Sequence, residues 1–300
     1  VDKVELELLA FDSMGVRSMA TVIETKDLRL MIDPGVALAP YRYGLPPHPL
    51  EIKRLNEAWS VIEERLADCS HVIITHYHYD HHEPESAHLL VNKAVYVKHP
   101  TQSINFSQRR RAAFFLSKIS EAGGSYEYAD GREIKVGSTN IRVSEPVPHG
   151  TDSRLGYVVM VAVCDGEEKV LYTSDVEGPS LESQLEVILR ERASTLIIDG
   201  PMTYMLGYRY SYESLERSIN NLIRIIRETP VRVMILEHHL LRDLDYKRKI
   251  EPVIREAEAE GVKLLSAAEF EGKPVEMLEA HRRELYALDK ELDGAGPLSG

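Results

Sequence analysis

Cysteine is scarce in this sequence, two in 300 residues, and tryptophan occurs once. Cys69 and Cys164 are too few for a disulfide-stapled fold, and neither has the spacing of a CxxC pair or a Cys/His finger, so both read as reduced thiols. Long apolar runs are missing too. The longest, residues 158–164, falls far short of the roughly 20 residues that span a bilayer. Residues 1–12 alternate acidic and apolar side chains with no basic region ahead of an apolar core, which is not the pattern of a signal peptide. The expectation is a cytoplasmic protein with no membrane partner. Positive charge is also in deficit, with 36 Lys and Arg against 48 Asp and Glu and a net charge of −12. That balance works against sequence-independent nucleic-acid binding, which depends on cations displacing counterions from phosphates. A nucleic-acid partner is not favoured, and any contact must be local. No GxSxG elbow, Walker-type GxxxxGK[ST] loop or Rossmann glycine fingerprint occurs, so serine-nucleophile and nucleotide-cradle chemistry lack their usual carriers.

What is present begins with a core-forming composition, 43% apolar. Residues 4–10, 20–24 and 28–32 read as strands, the last closed by Asp33-Pro34-Gly35. An irregular stretch over 36–49 predicts a long loop of the kind that often covers a site. A helical pattern follows over 50–66 and leads into the buried strand 72–74. Further on come a strand at 95–97, a helix at 107–122, and strands at 133–136, 140–143, 157–163 and 169–172. Helices at 181–192, 212–228 and 247–260 then alternate with strands at 195–198, 231–236 and 262–265. The segment 275–292 predicts a last helix before a frayed glycine-containing tail. No repeat or low-complexity linker divides the chain, so a single domain over 1–300 is expected. Strands then helices, twice over, predict an α/β fold in which two mixed β-sheets pack face to face with helices outside, an αββα sandwich.

The chemistry sits directly after the strand 72–74. His76-Tyr77-His78-Tyr79-Asp80-His81 places three imidazoles and a carboxylate within six positions. Imidazole with carboxylate suits zinc and other first-row divalent ions. Alternate residues on an extended segment face the same way, so His76 and His78 can share one ion. Asp80 and His81, at the turn that follows, can reach a second.

This run resembles the HxHxDH signature of the metallo-β-lactamase superfamily, and the likeness extends from about residue 4 to 265. The resemblance implies further ligands in a fixed order: His149 in Pro148-His149-Gly150, Asp175 after Tyr172-Thr173-Ser174, and a late histidine, for which His238 is preferred and His239 is the alternative. His76, His78 and His149 would hold the first ion, Asp80, His81 and His238 the second, and Asp175 both. The ions are expected to be zinc, with iron or manganese as alternatives. Asp33 would orient a ligand imidazole, as carboxylates behind metal ligands do. His82 and the Asp199-Gly200-Pro201 and His238-His239 runs resemble a little-characterised archaeal branch of the superfamily.

Paired divalent ions activate a water and polarise the substrate oxygen, so the implied reaction is hydrolysis. Asp80 would also orient the attacking water, and His82, His239, Tyr208 and Arg209 are candidates for serving the leaving group. The aromatic tract 204–210 is a candidate pocket wall, and Arg17 could reach an anionic substrate group. The expected substrate is a small ester, either a phosphodiester or a carboxylic ester or lactone. The alternatives are a nuclease acting on RNA or DNA and, more remotely, a di-iron redox protein. The redox relatives carry a carboxylate in place of a signature histidine, whereas His78 is intact here.

Overall fold

The computed structural model describes residues 4–294. The first half of the chain builds a six-stranded sheet in the order β1 (Glu5–Phe11), β2 (Met19–Glu24), β3 (Arg29–Ile32), β4 (His71–Ile74), β5 (Ala94–Val97) and β6 (Glu127–Tyr128). Its first three strands run antiparallel, and β3 to β6 run parallel. The second half builds a seven-stranded sheet from β7 (Glu133–Val136), β8 (Thr139–Val143), β11 (Val161–Asp165), β12 (Glu168–Tyr172), β13 (Thr195–Asp199), β14 (Val233–Glu237) and β15 (Lys263–Leu265). Between β8 and β11 lies a small hairpin of β9 (Val147–Pro148) and β10 (Tyr157–Val158). From β12 to β15 the strands are parallel.

The central strands are apolar at nearly every position because both of their faces are covered, as parallel sheets require. Ile73, Ile197 and Ile235 face the core between the sheets, beside Leu30, Ile32, Val161 and Tyr172. Their neighbours point outward. Val72 and Ile74 meet Ile62 and Leu66 of α1 (Pro49–Asp68) and Phe115 and Ile119 of α2 (Phe106–Glu121). Leu196, Ile198, Met234 and Leu236 meet α3 (Glu182–Glu191), α4 (Tyr212–Glu228) and, beyond α5 (Tyr246–Lys249), α6 (Glu251–Glu260). The αββα sandwich expected from the sequence is the fold observed.

Three departures have local causes. The helix expected over 247–260 divides into α5 and α6, because Pro252 opens the first turn of α6 and cannot continue a helix from α5. The strand expected over 157–163 is broken, with β10 pairing to β9 and β11 turning to pair with β8 and β12. The expected last helix begins late. After the short α7 (Ala267–Phe270), a turn with Met277 in the left-handed region at φ 44° delays α8 to Arg282–Gly294. The tail beyond residue 294 lies outside the described residues. Among the described residues no helix is long and apolar enough to cross a membrane.

Candidate metal centre

All the strand ends that carry chemistry open on one edge of the sandwich. Asp12 follows β1, Asp33 follows β3, the signature run follows β4, His149 follows β9, Asp175 follows β12, Asp199 ends β13 and His238 follows β14. In open α/β sheets the carboxyl ends of parallel strands are where ligands are held. Here they frame a cleft of about 950 Å³ with His78, Asp80, His149 and Asp175 in its wall.

Two groups of potential ligands converge there, His76, His78, His149 and Asp175 in one and Asp80, His81, Asp175 and His238 in the other, with the donor atoms of each group within 4.8 Å of one another. Asp175 belongs to both. Its Oδ2 lies 3.5 Å from His76 Nε2, 3.3 Å from His149 Nε2 and 3.5 Å from His238 Nε2, and its Oδ1 lies 3.0 Å from His81 Nε2. His149 Nε2 is 3.2 Å from His78 Nδ1, and Asp80 Oδ2 is 3.6 Å from His238 Nε2. The donor set fits a divalent metal by a test independent of resemblance. His76 Nε2, His81 Nε2 and Asp175 Oδ1 are buried with no properly oriented hydrogen-bond partner. Orphaned buried polar atoms are costly, and several aimed at one another are explained by a cation between them.

Electrostatics divide the imidazoles, though not by group, since His149 is raised beside Asp175 and Glu177 despite its burial. Burial, followed by the neighbouring His81, holds the His76 imidazole at about 4, and burial with His76 and His149 drives His78 well down as well. Both are therefore neutral bases at pH 7. Burial would also lower His81, but Asp175 and Asp33 outweigh it and lift the ring to about 10. His238 is raised in the same way by Asp175 and Asp12. A bound metal would need His81, His149 and His238 to give up their protons, since ligand imidazoles must be deprotonated.

Behind the ligands stands a shell of buried carboxylates. Asp33 accepts from His81 Nδ1 at 2.8 Å and is itself fixed by the Thr75 amide at 2.7 Å and the Tyr172 hydroxyl at 2.8 Å. Asp12 Oδ2 lies 2.7 Å from His238 Nδ1, and its Oδ1 accepts from Arg242 Nε at 2.7 Å. Such contacts fix the tautomer and aim of a ligand ring. The backbone is strained at the same places, with Asp33, Ser174, Glu177 and His238 in the left-handed region at φ of 52°, 58°, 51° and 54°. Strain of this kind gathers at functional sites and is offset by surrounding packing.

The remaining candidates divide. His238 joins the second group, whereas His239 turns to Asp199, with Nδ1 3.0 Å from both carboxylate oxygens, and lines the cleft. Tyr208 and Arg209 are exposed at the cleft's rim, and Tyr204 and Met205 also line it. Tyr210, from the same tract, is buried core instead. The expectation for His82 needs correcting. Its ring is fully buried against Phe115, Tyr77 and Tyr79, and its Nδ1 donates to the His78 carbonyl at 2.8 Å, so it braces the signature loop from behind and does not reach the cleft. The loop over 36–49 walls the cleft with Ala37, Leu38 and Pro40, but it is clamped. Arg282, completely buried, donates to the carbonyls of Ala39 and Leu45 and pairs with Glu51 at 2.7 Å. Asp12, Glu177 and Arg242 were not singled out from sequence. For Asp12 and Glu177 the signal is an acid past a strand end, too frequent to discriminate, and Arg242 carries no signal of its own.

A fold of two packed sheets with this His/Asp cluster at its strand ends defines a member of the metallo-β-lactamase superfamily, whose sequence model matches residues 14–82. The solved metallo-beta-lactamase fold protein YhfI from Bacillus subtilis aligns with a TM-score of 0.50 at 14% identity, over 87% of this chain and 94% of that one. An isothiocyanate hydrolase from Delia radicum gut bacteria aligns at 0.52 and 14%, over 84% and 94%. At that identity the likeness is one of fold. Within the superfamily the chain belongs to the archaeal UPF0282 proteins, being 52% identical over 281 residues, 93% of each chain, to the one from Korarchaeum cryptofilum.

Proposed function

We propose that this protein is a dinuclear metal-dependent hydrolase that cleaves an ester bond, phosphodiester or carboxylic, in a small substrate. The observation that carries the reading is the shared carboxylate. Asp175 stands between two ligand groups, each with three further donors, at the wall of an open cleft. Imidazole and carboxylate in this mixture suit zinc first, with iron or manganese as alternatives. When bound, two such ions supply Lewis-acid polarisation and an activated water.

The chain's own groups do the rest. His76, His78 and His149 would hold one ion, Asp80, His81 and His238 the other, and Asp175 both. Asp80, in the cleft wall, would also orient the attacking water. His239, which lines the cleft beside Asp199, would protonate the leaving group. Burial pushes Asp199 well above its ordinary value and His239 well below, which keeps one proton within the pair. With Nδ1 committed to Asp199, the other ring nitrogen is the one through which that proton would leave. Tyr208, at the rim, would contact the substrate without reaching this pair. Five arginines line the cleft of an otherwise acidic chain, Arg17, Arg111, Arg154, Arg209 and Arg242, which favours an anionic substrate.

The test compares a chromogenic phosphodiester with a chromogenic carboxylic ester, before and after chelation and with zinc restored. Turnover of one class, lost on chelation and regained with metal, is the expected result and names the bond. Absence of chelation-sensitive turnover of both would remove the ester-hydrolase reading.

A further inference from the structure

Beside the second ligand group three guanidiniums gather at and behind the cleft wall, those of Arg17, Arg42 and Arg242. Arg242 is buried, donates to Asp12 through Nε at 2.7 Å and brings Nη2 to 3.0 Å from His238 Nε2. Arg17, also in the wall, forms a two-pronged pair with Glu279 at 2.6 and 2.7 Å. Arg42 lies 3.9 Å from the same Glu279, donates to the Arg242 carbonyl at 3.0 Å and packs over the Tyr204 ring, while its Nε is buried with no partner. Three guanidiniums therefore share two carboxylates, Asp12 and Glu279. The remaining acids nearby are Asp80, 3.9 Å from Arg242 and one of the metal ligands, and Glu177, which also lines the cleft and lies 3.7 Å from His149. Arginine forks of this sort match the planar oxygens of carboxylate and phosphate. A guanidinium left with an unpaired N–H in a low-dielectric wall attracts an anion more strongly than one in water.

We propose that Arg17, with Arg42 and Arg242 behind it, forms a subsite for a second, non-reacting oxyanion of the substrate, so that the ester cleaved carries its own carboxylate or phosphate. The assignment rests on the hydrolase reading for the identity of the ligand, but the subsite can be tested by binding alone. The metal-loaded protein is titrated calorimetrically with propionate, succinate and 3-phosphonopropionate, which share a carbon chain and differ in having one or two anionic heads. At least one two-headed probe is expected to bind tenfold or more tightly than propionate, and Arg17→Met should abolish that gain while leaving propionate affinity unchanged. A gain for succinate alone names a carboxylate, one for the phosphonate alone names a phosphate, and a gain for both names an oxyanion of either kind. Should Arg17→Met fail to fold, Arg17→Gln, which keeps a donor toward Glu279 without the charge, is read in the same way. Equal affinities for all three probes, or a gain that survives loss of the Arg17 charge, would overturn the proposal. Failure of the hydrolase reading looks different, with the two-headed preference intact and no chelation-sensitive ester turnover.

Discussion

At the scale of single residues, what matters at this site is which atom of each side chain is left free. His81 has Nδ1 committed to Asp33, which leaves Nε2 for a metal, whereas His238 has Nδ1 beside Asp12 and Nε2 3.0 Å from Arg242 Nη2, which would have to yield that nitrogen to a metal. Asp33→Asn removes the charge behind His81 while keeping its volume, and metal affinity is expected to fall by about 10–100-fold. Competition against a chromophoric chelator measures this, and an unchanged affinity would deny Asp33 any role in aiming the ring. His239 makes a separate prediction. If it protonates the leaving group, His239→Ala should slow a substrate with a poor leaving group by roughly 10²–10⁴-fold, while a nitrophenolate-type leaving group, which departs unprotonated, loses far less. Equal losses for both would reassign His239 to support of the ligand shell.

At the scale of elements, the signature loop is held by close backbone packing against the turn after β3. A Cβ added to Gly35 would meet His82 N at 2.2 Å and the carbonyl carbon of His81 at 2.5 Å. Both contacts are with backbone, so a rotamer change offers no escape. Gly35→Ala is thus expected to displace the loop carrying Asp80 and His81 and to lower bound metal, measured by elemental analysis, well before global secondary structure is lost. Full metal content in the variant would show that the loop can shift as a unit without opening the ligand set. His82 belongs to the same element-level argument, because its ring fills the space between this loop and α2.

Across the whole molecule, the two ends of the described chain are tied by charge. Glu279, shortly before α8, is buried against Arg17 from the turn before β2. Burial alone would raise its carboxyl, but Arg17, helped by Arg242 and Arg42, holds it at about 2 against an ordinary value of 4.5. A carboxyl depressed on folding stabilises the native state fully above its unfolded value, and that contribution is lost as pH falls toward the folded one. Stability should therefore decline between about pH 4.5 and 2 by at most roughly 3 kcal/mol on account of this group. Glu279→Gln should be less stable than the parent at pH 7 and show a shallower acid decline in denaturant titrations. Parallel declines in the two proteins would place the acid sensitivity elsewhere.

The sequence by itself determined the αββα architecture, because apolar runs that need cover on both faces leave few other packings, and it determined the local density of ligand-type side chains in the run 76–81. Alternation along a strand and spacing in a turn are short-range properties, legible within a few residues. The tertiary structure decided how residues far apart in the chain meet. It placed His238 against Asp80, His81 and Asp175 and gave His239 to Asp199, although adjacent histidines look alike in one dimension. It also turned His82 into the core, brought Arg17 into the cleft wall, and set Asp12 behind a ligand 226 positions later in the chain. These outcomes depend on which face of a loop meets which sheet edge, a matter of long-range packing that local propensity does not encode.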